Sequence, residues 1–383
     1  MRKLLKRTAS AVLAAAMVAT ALLTSGCSTP KTAITVDGTS YSTGEYLAYL
    51  YNSFYQIYVN QSLYYYDLYS TNANYDVWNQ TYTYSDDDST EYNLRDYIRR
   101  SAKDTIIREV AVSRLMDQYG ITLSDEDKET IQKHLDSLKS DAYIDYGFSN
   151  ESYARMYREY NFNERALFLG LYDKGGQRAV ADTDVRAYFD ENYLSYERIS
   201  YTLADSSGND LSDEEKAKID EDLARYLQMF NDGTSFDDVI AQQKKDASSS
   251  SDSDSSSDSS SSNTNNRVDI DSKQTGDKEL VAALKEMSFG EAKIIEYTTD
   301  NDVKTKALVL RMDPEKDRGN DSDGNPVDYF ANQRTNILSQ LKGDELNDEI
   351  KAKIATLSVD FNESVEKKCD PYEFRSLLTK SSK

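Results

Sequence analysis

The run Asp182-Thr-Asp-Val-Arg-Ala-Tyr-Phe-Asp-Glu-Asn192, followed by Arg198-Ile-Ser-Tyr-Thr-Leu-Ala204, is where the chain changes character. Its first part opens on residues suited to a helix start and carries Val185, Tyr188 and Phe189 at helical spacing. Its second part alternates, as a half-buried strand does. The turnover is placed at Tyr196, and the chain on either side has a different texture.

Upstream, Ala33-Ile-Thr-Val-Asp-Gly38 reads as a short strand entering an Asp-Gly turn. Ser42 or Thr43 then caps a helix starting near Glu45. Leu47, Leu50, Phe54, Ile57 and Gln61 recur at helical spacing, and Tyr46, Tyr49, Tyr51, Tyr55 and Tyr58 widen the apolar side. The Tyr/Asn/Asp-rich stretch 64–88 is expected to be a loop. Leu94, Ile98, Ala102, Ile106, Val110 and Leu115 mark the buried face of a long helix that Gly120 ends. Ser124 with Asp127 forms a capping box for the next helix, which carries Ile131, Leu135 and Leu138. Further helices are expected over Ser149–Tyr160 and Asn163–Lys174, so residues 45–195 read as all-helical behind one strand.

Downstream, Ser212 caps a helix over Asp213–Phe230 that Gly233 closes, and Ser235–Gln243 and Leu280–Met287 are two more. Ala292–Tyr297 and Lys306–Arg311 read as strands. The order β-α-α-insert-α-β-β describes a small α+β domain over 196–313. Its insert, 246–266, has twelve serines and three aspartates between Ser248 and Ser262. With no apolar group to bury, it is expected to be a disordered acidic linker. Val327 to Leu357 is helical, Leu357-Ser-Val-Asp-Phe361 is a candidate strand, and a polar tail follows.

The N-terminus reads as a targeting segment over 1–26. Arg2, Lys3, Lys6 and Arg7 precede an apolar run from Ala11 to Leu23, which is too short to span a bilayer. Leu23-Thr-Ser-Gly-Cys27 resembles the lipobox of bacterial lipoproteins, although Leu23 lies one place further from the cysteine than is commonest. The resemblance implies a diacylglycerol on Cys27 and a lipid-anchored chain on the extracytoplasmic face of the cell membrane. An ordinary signal peptide is the other reading.

Composition narrows the chemistry. The 383 residues carry 45 Lys+Arg against 67 Asp+Glu, a formal charge of −22, which argues against a nucleic-acid binder, because phosphate contacts need a basic face. One histidine and two cysteines are too few for a His-based zinc site or a Cys/His zinc module. Cys369 has no internal partner once Cys27 is lipidated. No nucleotide, metal or redox cofactor is implied. Asn320-Asp-Ser-Asp-Gly-Asn325 resembles a calcium loop but lacks its acidic ends, since Gly319 and Phe330 stand there, so it reads as a polar turn.

Taken in order, the lipoprotein signal, Val36-Asp-Gly38, Tyr119-Gly-Ile-Thr-Leu-Ser-Asp-Glu126, Asp184–Asn192 and the β-α-α-α-β-β domain resemble the SurA/PrsA group of extracytoplasmic foldases. The likeness runs over about 33–362. It implies an α+β protein: a mostly helical chaperone-like module built from the N-terminal (27–195) and C-terminal (314–383) segments, with an inserted parvulin-like prolyl isomerase domain. It also places the family's first histidine at Tyr201 and its second near Lys306–Ala307, so both are missing. Asp232-Gly-Thr-Ser-Phe236 resembles the family's glycine-phenylalanine helix start. His134 is expected on the polar side of its helix, away from that domain.

Two readings of the tyrosine-rich helix stay open, a core edge or a cradle for unfolded clients formed by Tyr49, Phe54, Tyr55 and Tyr58 with Tyr201 and Phe236. Three function classes follow. One is a membrane-anchored chaperone for unfolded or secreted polypeptides with a silent parvulin-like domain. The second is an isomerase with a rebuilt site. The third is a solute-binding or adhesion lipoprotein, which would favour repeated βα units or many short strands.

Overall fold

A computed structural model describes residues 32–69, 76–85, 88–205, 207–249 and 267–380. The signal segment, Cys27 and residues 250–266 of the Ser/Asp insert lie outside the described residues. The chain divides into two compact units, Met1–Phe168 with Leu346–Lys383, and Leu169–Glu345.

The first unit begins with a hairpin of β1 (Thr32–Val36) and β2 (Thr39–Ser42). Asp37 and Gly38 take φ of 47° and 77° at its tip, the left-handed pair that a two-residue hairpin turn requires. α1 (Thr43–Phe54) follows, with a full capping box between Ser42 and Glu45. It continues as a π-helical stretch, Tyr55–Val59, then α2 (Leu63–Tyr69), a 3₁₀ turn at Val77–Asn79, and a second hairpin of β3 (Thr81–Ser85) and β4 (Asp88–Asn93). The expected loop over 64–88 is therefore structured where it is described. Tyrosine and threonine supply enough β-branched and aromatic surface to pair without aliphatic residues.

α3 (Leu94–Tyr119) buries Leu94, Ile98, Ala102, Ile106, Val110 and Leu115, and Gly120 ends it at φ 62°. α4 (Asp125–Asp136) carries the Ser124–Asp127 capping box. After a 3₁₀ turn at Ile144–Tyr146 come α5 (Asn150–Arg158), a π-helical stretch at Glu159–Asn163 and α6 (Glu164–Tyr172), along which the chain passes into the second unit.

The second unit opens with α7 (Asp182–Asn192) and β5 (Tyr193–Thr202), which starts three residues before the expected boundary. α8 (Asp213–Asn231), α9 (Phe236–Ser249), β6 (Val268–Asp271), α10 (Lys278–Glu286), β7 (Ala292–Thr298) and β8 (Lys304–Met312) complete the domain. Asp246 to Ser249 are thus helical rather than the start of a linker, and β6 is a strand that the sequence reading did not see. The sheet runs β6-β5-β8-β7, and every pairing in it is antiparallel. Strand alternation divides its faces. Leu194, Tyr196, Ala307, Val309 and Tyr297 pack with Leu280 and Leu284 of α10, while Ile199 and Leu308 pack with Leu223, Tyr226, Phe236 and Val239 of α8 and α9.

α11 (Tyr329–Ile354) returns the chain to the first unit. There β9 (Val359–Phe361) pairs antiparallel with β1, Ile34 opposite Phe361, so the first unit's sheet is closed by residues more than three hundred apart in sequence. The segment expected to be a polar tail forms α12 (Glu363–Glu366) and α13 (Tyr372–Lys380). Val365, Cys369 and Phe374 enter the core beside α1 and α3, and burial lifts the Cys369 thiol to about 11. The described sheets contain no parallel pair, so the repeated βα units of a solute-binding fold are not found among the described residues.

Candidate functional site

The two positions where family histidines are expected face each other. β5 and β8 pair with Tyr201 opposite Lys306, and both side chains lie on the sheet face covered by α8 and α9, with Ile199 and Leu308. The Lys306 ammonium forms ion pairs with Asp220 of α8 and, at 3.8 Å, with Glu296 of β7. The Tyr201 hydroxyl shares hydrogen bonds with Tyr226 and Gln243, and burial raises its pKa.

A carboxylate anchors that network. Asp246 accepts from Tyr226 Oη at 2.9 Å, from Arg225 at 2.7 Å and from Gln242 at 2.6 Å. Its hydrogen bond from Arg225 is the main reason its carboxyl sits below the ordinary range. Arg225 also donates to Asp222 at 2.9 Å. The sequence reading missed Tyr226 and Asp246 because the helix was ended at Gln243. An Asp placed four residues after Gln242 and facing Tyr226 is legible only once α9 runs on.

Chemically the pair is unlike two imidazoles. Lysine donates but cannot accept, and a neutral phenol titrates far above pH 7. Both polar tips already have partners. Phe236, a candidate for client contact, is buried at 4% exposure against Phe230, with ring centres 5.7 Å apart.

The candidate aromatics of α1 and of the π-helical stretch after it divide by burial. Tyr49, Phe54 and Tyr58 are 0% exposed, whereas Tyr55 is 40% exposed. The first three are therefore core, with no surface to offer a client in this conformation. Tyr49 Oη donates to Glu159 at 2.6 Å and Tyr41 Oη to the same oxygen at 3.0 Å. Tyr58 and Arg375 donate to Asp67, as does Trp78 Nε1 at 3.0 Å. Phe54 stacks on Tyr58 at 4.9 Å and meets Phe374 edge-on at 5.5 Å. Each buried hydroxyl of Tyr49 and Tyr58 is satisfied, which is the condition for burying it.

Tyr46, whose buried hydroxyl has no partner among the described residues, is one exception in this core, and Glu109 is another. It is buried on α3, its Oε2 has no partner among the described residues, and burial followed by the charge of Glu159 raises its pKa to about 9. A glutamate one residue from Val110, on a face otherwise apolar, was the sequence signal for it.

His134 corrects another expectation. Its ring stacks on Tyr157 with centres 4.0 Å apart, and Nε2 lies 3.2 Å from Tyr153 Oη, so it packs among aromatics rather than on a polar face. In the 320–325 turn, Asp321 accepts from the backbone of Asp323 and Asn325, at 3.0 and 2.8 Å. Among the described residues no group of three or more His, Cys, Asp or Glu is arranged to hold a metal, and no helix is long and apolar enough to cross a membrane.

No protein-family model matches the chain, and neither does any curated protein. Solved structures similar to it include two foldase proteins. The foldase protein PrsA from Lactococcus lactis is 13% identical, with 89% of this chain and 100% of that one covered and a TM-score of 0.33. The foldase protein PrsA from Streptococcus pneumoniae str. Canada MDR_19A is 18% identical, with 67% and 84% covered and a TM-score of 0.31. Both bear the name of the foldase group that the sequence resembles.

Proposed function

We propose that this is a foldase-type chaperone of the extracytoplasmic space, anchored to the membrane by lipid on Cys27. It holds unfolded or secreted polypeptides, and its β-α-α-β-α-β-β domain is catalytically silent. The observation that carries the second half is the cross-strand pair Tyr201–Lys306. The strand register needed to bring two catalytic side chains together is present, but the side chains there are committed to Asp220, Glu296, Tyr226 and Gln243. Amide rotation crosses a barrier of ~18–20 kcal/mol for ordinary peptide bonds, and lowering it takes preorganised polar groups aimed at the reacting amide. A lysine ion-paired to two carboxylates and a tyrosine bonded to α8 and α9 do not provide them.

The first half rests on the lipobox-like Cys27, the order of elements and a charge of −22 that opposes self-association while clients are held. The test is light scattering from a chemically unfolded client diluted into buffer with the full chain. Suppressed scattering at near-equimolar chain is the expected result, and scattering equal to that with an inert acidic protein would reject the reading.

A further inference from the structure

β6 is an edge strand, and the second unit has a cleft of about 450 Å³ beside it. Asp269, Ile270 and Asp271 all line that cleft. Successive side chains of a strand point to opposite faces, so three consecutive residues border one space only where the strand's edge faces it. The hydrogen-bond parity agrees. Ser272 N–H donates to Asn192 O at 2.8 Å, in register with Leu194↔Ile270 and Tyr196↔Val268. Hydrogen-bonded pairs alternate along an antiparallel ladder. Ile270 therefore bonds inward to β5, while Asp269 and Asp271 turn their N–H and C=O outward. Asp271 C=O is taken by Gln274 N–H at 2.9 Å. Among the described residues that leaves two outward N–H groups and the Asp269 C=O.

The opposite wall is a polar stripe on α11, with Gln333, Asn336, Ser339 and Gln340. Asn336 Nδ2 donates to Gln333 Oε1 at 2.8 Å, which leaves the outer polar atoms of both amides for a ligand. Tyr193 and Tyr329 close one end, their ring centres 6.1 Å apart. A strand edge facing a row of amides and hydroxyls offers donors and acceptors at the spacing of peptide groups, and few apolar pockets for particular side chains.

We propose that this cleft binds an extended segment of unfolded polypeptide by adding it to β6 as a further strand, with the amides of α11 reading its main chain. The inference rests on the chaperone reading and names its client contact. Recognition through the main chain is tolerant of sequence. The chain's overall negative charge favours segments that are neutral or basic; the Asp269 carboxylate itself is held by Arg318 and Ser195, and that of Asp271 by Tyr188.

Fluorescence anisotropy of the full chain tests this with a short labelled peptide of alternating valine and threonine with lysine ends. A copy N-methylated at two adjacent central residues, which blocks both peptide edges, is the comparison. The parent peptide is expected to bind, and the methylated copy to bind at least about tenfold more weakly, the scale of losing a main-chain hydrogen bond or two. Asp269→Pro, which removes an outward N–H that an edge strand does not need for its own ladder, is expected to weaken binding similarly. Ser339→Trp fills the cleft from an exposed helical position and keeps the test decisive if the proline variant fails to fold. Equal binding of both peptides, or wild-type affinity in Ser339→Trp, would overturn the proposal, as would no binding of the parent. If client scattering is still suppressed in those cases, the chaperone reading survives and only the cleft is wrong. If suppression is also absent, both fall.

Discussion

In the unit made of residues 32–168 and 346–380, Tyr49 of α1 and Tyr58 of the π-helical stretch after it lie in the core and hand their hydroxyls to a buried and a half-buried carboxylate. In the other unit, Tyr201 sits half-buried near the end of β5, on the face that packs against α8 and α9. The residue type is the same and the consequence differs. A phenol needs one partner to be buried without loss, and where the partner is a fixed carboxylate in a packed core, the tyrosine becomes structure. At the Tyr201–Lys306 pair the partners are instead Tyr226 and Gln243 for the phenol, and the carboxylates of Asp220 and Glu296 for the lysine.

The largest expected effect tests the core side of that contrast. Phe54→Ala removes a fully buried ring stacked on Tyr58 and flanked by Phe374, and should lower unfolding free energy by about 3–5 kcal/mol in urea titration. A loss below ~1 kcal/mol would mean that α1 is not core, and would return it to the client surface. Next comes Glu109→Gln. The unfolded carboxyl titrates near 4.5 and the folded one at about 9, so the folded state holds its proton more tightly. Between those values stability should fall as pH rises, by on the order of 3 kcal/mol at pH 7. Glu109→Gln should be more stable than wild type at pH 7 by about that amount and lose most of the slope. A variant less stable than wild type at pH 7 would show that the charged form has a partner.

Smaller effects sharpen the other side. Tyr201→Phe removes one half-buried hydroxyl from the Tyr226–Gln243 network and should cost about 1 kcal/mol in thermal unfolding. Tyr55→Ala, at an exposed position, should stay within about 0.5 kcal/mol. A larger loss there would extend the core to a residue now placed at the surface.

Much of the fold was legible because local rules and tertiary demands agreed. The Ser42, Ser124 and Ser212 caps, the Gly120 stop and the buried face of α3 were each read from spacing, and the β-α-α-α-β-β order survived with one strand added. What escaped lacked aliphatic residues or depended on distant partners. β3 and β4 are built from Thr, Tyr and Ser, and β2 holds only four residues. β6 alternates Val268 and Ile270 with aspartates directly after the Ser/Asp insert, which disguised it. α13 hides Phe374 among charged neighbours, and nothing local signals that it packs on α1. Of the candidate site, sequence located Tyr201 and the neighbourhood of Lys306. It could not show that Tyr226, Gln243 and Asp220 take up their polar tips, since those contacts come from how α8 and α9 pack on the sheet.

The most direct test of the central claim is protease-coupled prolyl isomerisation of a short proline peptide by the full chain, beside Tyr201→Phe. A silent domain predicts the uncatalysed rate from both proteins. Turnover by the wild type that disappears in Tyr201→Phe would contradict it, and would make Tyr201 a catalytic residue in a rebuilt isomerase site.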